Sequence, residues 1–261
     1  MLLNYIKTTL KQLIFSKKDD PIWNYEKWMQ IEEKFGVCST YFFFVRSKNM
    51  PISLYDCDFK LDDTFKVDGK WLSVKEYIVE LKKRGHEIGL HGSFTSAKEE
   101  NVFRDQKECL EKIIKEEIVA TRQHYLHFIS ELTPKIHIQN GIKIDSTLGL
   151  NRSIGFRMGT SMPFLIEANG SYLWELPLLF MDSAILGHQK LDLETAKVEL
   201  DQLIKKVESV GGCLTVNFHP DYVNEPSYFD LYEYLLKLGK ERNAYFGTCK
   251  EIFKIVDSCV E

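Results

Sequence analysis

The sequence predicts an α/β fold built on a parallel sheet, open or closed into a barrel. Two observations carry that expectation. Short apolar runs alternate with segments whose apolar residues recur at helical spacing, the β-α-β-α rhythm of parallel strands joined by helical crossovers. Ionisable residues stand at the ends of successive apolar runs, which is where such folds place their chemistry. The 261 residues, 44% hydrophobic and 28% charged, fit one large domain. The chain has no internal repeat, low-complexity segment or Gly/Ser-rich linker.

Taken in order, Leu3, Ile6, Leu10, Leu13 and Ile14 recur at helical spacing, so residues 1–21 read as a helical and linker segment before a domain over 22–261. Lys7 and Lys11 interrupt this run and no small-residue cleavage site follows, which argues against a signal peptide. A helix packed on its own domain is expected there, with a membrane-surface helix as the alternative. No stretch reaches the roughly 20 apolar residues that a transmembrane helix needs.

Trp23 to Phe35 predicts a helix stopped by Gly36, followed by a buried strand over Cys38–Val45. Ser73 caps a helix to about Arg84, and His86–His91 is a short strand. A long charged helix over Ser96–Glu116 leads to a strand over Val119–Leu126. Brief strands follow at Ile142–Asp145, Gly155–Arg157 and Tyr172–Leu176. A helix over Leu193–Val210, a strand over Cys213–His219 and two helices around Tyr228–Glu241 and Lys250–Val256 complete the chain. A short strand, Ala244–Phe246, separates those last two helices.

Charge and cysteine content narrow the function. A formal net charge of −4 argues against a nucleic-acid partner, since phosphate binding usually needs a basic face. Cys38, Cys57, Cys109, Cys213, Cys249 and Cys259 are scattered without a CxxC pair, so zinc-ribbon and redox-motif readings have no support. They read as free thiols of a reducing cytoplasm.

The strand ends carry His91, Arg122 with His124, Asp145, Arg157, Glu175, and Asn217 with His219. Arg122 and His124 stand two apart, so on a strand they share a face and could hold an anion, a carboxylate or a metal-bound group. A structural Arg paired with a carboxylate is the alternative. His219 precedes Pro220-Asp221 at a strand end, a natural place for a general acid. His91 closes Gly85-His-Glu-Ile-Gly-Leu-His91, and imidazole is a common metal ligand. His86 faces the other way on that strand and reads as structural. His127, His137 and His188 read as surface or packing residues. Asp56 and Asp58 form a carboxylate pair, a weak metal signal that solvated loops also give.

At Gly85–His91 the sequence resembles the polysaccharide deacetylases, the NodB-homology or carbohydrate esterase family 4 domain. In the resemblance His91 matches the metal-ligand His of the second motif. Arg122, in Thr121-Arg-Gln-His-Tyr125, matches the active-site Arg of the third, and His219 matches the catalytic acid of the last. Ser39–Phe44 is similar to the strand before the second motif. Asp145–Gly149, Gly155–Gly159 and Trp174–Pro177 resemble a subgroup associated with surface-polysaccharide biosynthesis. The resemblance spans roughly residues 22–257.

The resemblance implies a distorted (β/α)7-type barrel, a divalent metal, usually zinc, and removal of N- or O-acetyl groups from a sugar or sugar-lipid substrate. It implies His219 and Arg122 as catalytic residues and His91 as a metal ligand; Asp145 is expected to join the catalytic residues and His124 to be the second metal ligand. His124 enters because Thr95 stands where the family has its second motif histidine. The family also opens with a strand ending in Asp residues, expected before Trp23, where only Asp19 and Asp20 occur. Either the reading frame starts inside a longer protein or the homologue has lost this motif. The alternative to a deacetylase is therefore an impaired barrel that binds carbohydrate or a partner enzyme. Trp71, Trp174, Tyr222 and Tyr228 are the aromatic candidates for a sugar platform.

Overall fold

The computed structural model describes residues 25–46, 56–57, 59–220 and 226–259. The expected segment over 1–21 lies outside them, as do Asp19, Asp20, Asp58 and Tyr222. Helix α1, Tyr25–Phe35, leads into strand β1, Thr40–Phe43. A hairpin of β2, Thr64–Val67, and β3, Lys70–Ser73, precedes α2, Val74–Lys83. Ser73 and Glu76 form a reciprocal cap at the start of α2, as the sequence predicts for Ser73. Strand β4, Glu87–Gly92, helix α3, Glu100–Ile114, and strand β5, Ala120–Gln123, follow. Then come α4, Thr133–Gln139, β6, Ile144–Asp145, β7, Phe164–Ala168, β8, Ser171–Glu175, and β9, Leu178–Met181. The chain ends with α5, Leu193–Ser209, β10, Thr215–Asn217, α6, Pro226–Glu241, and α7, Cys249–Asp257.

Six strands form one sheet in the order β1-β4-β5-β6-β8-β7, parallel except for β7, which runs antiparallel to β8. Strands β9 and β10 form a separate parallel pair. Seven parallel strands are thus arranged as a distorted barrel, but no backbone ladder joins the six-stranded sheet to the β9–β10 pair, and the barrel is not closed. The hairpin β2–β3 and strands β7 and β9 are not among the sequence-predicted elements, whereas β8 corresponds to the expected strand over Tyr172–Leu176. Gly155–Arg157 and Ala244–Phe246 are not strands. Both are too short to pay for strand order alone, and neither finds a ladder partner.

Two apolar clusters fill the two sides. One gathers Met29, Phe43, Tyr77, Leu81, Leu90, Phe103 and Leu110; the other gathers Trp28, Phe180, Leu200, Leu203, Leu231 and Tyr232. Adjacent residues of α1, Trp28 and Met29, enter different clusters, so this helix ties the six-stranded sheet to the β9–β10 half. No helix among the described residues is long and apolar enough to cross a membrane.

Helix α1 also buries a carboxyl. Glu32 accepts hydrogen bonds from Tyr41 Oη at 2.6 Å and Tyr232 Oη at 2.7 Å, and from Ser39 Oγ. Burial pushes its pKa up from 4.5 to about 7, against the opposing effect of the tyrosine hydroxyls. The folded chain then holds a proton that the unfolded chain releases above its ordinary value. Stability therefore falls as pH rises from 4.5 to about 7 and levels off above that. Glu32→Gln should remove this fall, on the order of 3 kcal/mol. Urea midpoints of wild type and variant at the two ends of the window check it; parallel pH profiles would rule it out.

Candidate active site

The carboxyl ends of β4 and β5 lie side by side, with His91 in register with Arg122. His91 Nδ1 is 2.8 Å from the Arg122 carbonyl oxygen. A carbonyl only accepts, so Nδ1 donates and Nε2 keeps its lone pair. This is the arrangement that fixes the tautomer of a metal-ligating histidine. Burial holds the His91 imidazole well below its usual basicity, and the neighbouring His124 lowers it further.

His124 reaches His91 by a route that strand alternation does not describe. Strand β5 ends at Gln123, and His124 opens a single 3-10 turn, so Arg122 and His124 do not share a strand face. Tyr125 and Leu126 both have left-handed backbones, with φ of 58° and 51°. Such conformations in non-glycine residues cost on the order of 1–3 kcal/mol each and persist where the surroundings enforce them. Here Leu126 is buried, His127 N–H donates to the His124 carbonyl at 3.2 Å, and Asn151 Nδ2 donates to the Tyr125 carbonyl at 3.2 Å. The turn brings the His124 ring to 4.9 Å from that of His91.

Asp56 completes the group. It lies in the connection after β1, its side chain fully buried, with Oδ1 accepting from Phe94 N–H at 2.8 Å and 3.7 Å from His124 Nδ1. Asp56 Oδ2 and His124 Nδ1 are both buried without a hydrogen-bond partner. Unpaired buried polar atoms are costly, so the Asp56 carboxylate and the His124 imidazole are candidate cation donors, with the His91 ring next to that of His124. Among the described residues no three His, Cys, Asp or Glu side chains are grouped so that they could hold a metal ion. A carboxylate is thus present beside His124, although the sequence leads one to look for it before residue 23. Strand β1, which precedes Asp56 in the chain, holds the position next to β4.

Arg122 builds the floor. Its guanidinium is buried, donating from Nε to the Ser146 carbonyl at 2.9 Å, from Nη2 to Ser146 Oγ at 2.8 Å and from Nη1 to Asn217 Oδ1 at 2.9 Å. It also lies over the Phe42 ring, 4.6 Å from its centroid. Phe42 fits there because Gly89 has no side chain: a Cβ at that position would lie 2.6 Å from the ring.

A second group stands at the ends of β9 and β10. Asp182, fully buried, accepts from His219 Nδ1 at 2.6 Å, from the His219 backbone N–H at 2.7 Å and from Ser183 N–H at 2.5 Å. Ser183 opens a π-helical turn, Ser183–His188, a feature often found at functional sites. Asn217 Nδ2 lies 3.3 Å from His219 Nε2. Because Arg122 also holds Asn217, the two groups share one hydrogen-bonded chain. Asp182 has no place among the sequence-predicted site residues; its signal is an acid directly after the apolar run Leu178–Met181.

Other candidates fall outside this arrangement. Asp145 is fully buried; Thr147 Oγ1 donates to its Oδ1 at 2.5 Å, and its Oδ2 lies 3.2 Å from His137 Nδ1 with no hydrogen bond between them. It presents no surface to a substrate, because it belongs to the polar wall behind the sheet. Glu175, also fully buried, accepts from Leu148 N–H at 2.8 Å; burial first, then the charge of Asp145, holds its pKa well above the usual carboxylate range. Arg157 donates to the Gly149 carbonyl. Among the aromatics, Tyr228 is buried, and Trp174 is buried with its Nε1 donating to Asp257. Trp71 is exposed on the β2–β3 hairpin, whose Asp68 pairs with Arg84 near the amino end of β4, away from His91. The exposed aromatic at the site is Tyr125, 55% accessible, with its ring 4.7 Å from that of His124.

The WbmS-like polysaccharide deacetylase family model matches residues 65–232, more than half of the chain, and the protein belongs to that family. Three solved structures are similar in fold. A candidate polysaccharide deacetylase from Mycobacterium smegmatis has a TM-score of 0.61 at 19% identity, covering 89% of this chain and 76% of its own. Puue allantoinase has a TM-score of 0.62 at 12% identity, covering 90% and 71%. A polysaccharide deacetylase candidate from Pseudomonas aeruginosa PAO1 has a TM-score of 0.57 at 12% identity, again covering 90% and 71%. No protein of curated function matches the sequence.

Proposed function

We propose that this chain is a metal-dependent hydrolase that removes N- or O-acetyl groups from a carbohydrate, with zinc as the metal. The single observation that carries this reading is His124, whose ring lies 4.9 Å from that of His91 and whose Nδ1 lies 3.7 Å from Asp56, with that Nδ1 and Asp56 Oδ2 buried and unpartnered. When bound, a divalent ion polarises the acetyl carbonyl and lowers the pKa of water. His91 through Nε2, His124 and Asp56 would hold it. His219 would move the proton between water and the leaving sugar atom, and Asp182 would orient its ring and stabilise the imidazolium. Arg122 fixes the geometry between the two halves.

A sugar or sugar-lipid intermediate of surface-polysaccharide biosynthesis, handled in the cytoplasm, is the substrate class we favour. Tyr125, beside His124, is the side chain best placed to meet a sugar ring. The competing reading, a barrel that only binds carbohydrate, draws its support from a missing acid, and the position of Asp56 weighs against it. Acetate release from N-acetylated and O-acetylated oligosaccharides tests the proposal. Release should require zinc, stop on chelation and return on zinc addition. A folded, zinc-loaded chain that releases no acetate from either class would overturn it.

A further inference from the structure

Each ring nitrogen of His219 faces a different partner. At Nδ1 the partner is the Asp182 carboxylate, 2.6 Å away, which accepts, so Nδ1 carries a proton. At Nε2 the partner is Asn217 Nδ2, at 3.3 Å. The orientation of that amide is not a free choice. Arg122 Nη1 is 2.9 Å from Asn217 Oδ1, and a guanidinium only donates. The amide oxygen is therefore committed to Arg122, and the NH2 turns toward His219. An NH2 beside a ring nitrogen is favourable only where that nitrogen offers its lone pair. Protonation of Nε2 would set two donors face to face.

Both contacts fit a ring with its proton on Nδ1; Asp182 fixes that proton and favours the cation, so the Asn217 NH2 is the contact that opposes a second proton on Nε2. We propose that Asn217, anchored by Arg122, is a positioning residue that keeps His219 a proton acceptor in the resting site, so that His219 serves first as base and then as acid. This rests on the deacetylase reading above. As water oxygen bonds to the acetyl carbon, its proton passes to His219 Nε2. As the bond from that carbon to the sugar nitrogen or oxygen breaks, the imidazolium returns the proton to the leaving atom. Acetic acid and the deacetylated sugar result, the acid gives its remaining proton to solvent or to the freed amine, and His219 ends neutral. Asp182 stabilises the intermediate cation. The 3.3 Å contact to Asn217 is near the long end of hydrogen bonding, so it is readily exchanged for an incoming donor.

The charged or titratable groups around His219 include Asp182 at the end of β9, Arg122 of β5 acting through Asn217, and His91 of β4. The test is a histidine 15N NMR titration of the full chain, with His219 assigned by loss of its signal in His219→Gln. In wild type, Nδ1 should be the protonated nitrogen. Asn217→Leu keeps the volume and deletes the NH2. It should raise the protonation midpoint of His219 by about half a unit to one unit, roughly a three- to tenfold gain in proton affinity. Asn217→Asp keeps the anchor to Arg122, presents an acceptor and should raise the midpoint further. A side chain that merely fills space would leave the midpoint unchanged or lower it on replacement by Leu, and either result would overturn the proposal.

The titration needs no turnover, so a chain inactive on acetylated sugars would remove the deacetylase reading while the Asn217 contact is judged separately. With turnover, the acidic limb of kcat/KM should move up in Asn217→Leu along with the midpoint. Movement of the alkaline limb instead would overturn the base-first order.

Discussion

Replacing His91 by alanine should empty the site of metal while leaving the protein folded. The imidazole makes one hydrogen bond to structure, from Nδ1 to the Arg122 carbonyl, and such a bond contributes about 1 kcal/mol net. Strand β4 keeps its ladders to β1 and β5 and its buried Ile88 and Leu90. Nothing replaces Nε2 as a donor. Loss of an outer partner of a metal ligand typically costs about 10–100-fold in affinity, and loss of the ligand itself should exceed that. Metal analysis after matched zinc exposure should show about one equivalent in wild type and almost none in His91→Ala. Asp56→Asn and His124→Ala should weaken binding in the same direction. A folded His91→Ala chain with full metal content would place the metal elsewhere and remove the basis of the proposed function.

The second large effect is expected at Asp182. Asn in its place keeps the shape but offers an NH2 to one of the donors that now converge on the carboxylate. If that NH2 faces His219 Nδ1, the ring must carry its proton on Nε2, the wrong state for accepting one from water. Loss of a tautomer-fixing carboxylate together with general acid–base function should lower kcat by roughly 10²–10⁴-fold. KM and metal content should change little, because Asp182 hydrogen-bonds to neither Asp56, His91 nor His124. The buried, poorly matched amide should also cost about 1–3 kcal/mol of stability. A wild-type kcat in Asp182→Asn would rule out a proton-transfer role for His219. A loss of metal would instead assign Asp182 to the metal site.

The alternation of apolar runs and amphipathic helices made β4, β5, β10 and their flanking helices legible, and with them His91, Arg122 and His219. The rule that chemistry sits at the carboxyl ends of strands located these residues but could not say which way each faces. Asp145 shows the consequence: it stands at the end of β6, yet it turns into the wall against His137 and Thr147. Asp182 was missed for the opposite reason. Strand β9 is buried along its whole length, so it has no alternation, and the run Leu178–Met181 after Pro177 does not announce a separate strand. Asp56 was legible as half of a carboxylate pair, but its partner Phe94 is 38 positions further along the chain. No local pattern encodes a contact at that separation. The same holds for the two left-handed residues that turn His124 toward His91, since neither is a glycine.

Asp56 reaches the histidines from a connection, held by the backbone N–H of Phe94, whereas His91 lies within the ladder of the sheet. The two kinds of donor are therefore exposed to different evolutionary pressures. A change at His91 or in its neighbours alters strand pairing and core packing together with the chemistry. A change between β1 and β2 can exchange, shift or delete the carboxylate while the ladder between β1 and β4 stays as it is. In the proposed site the acid is the separable part, so metal preference and reactivity could diverge among relatives without a change of fold.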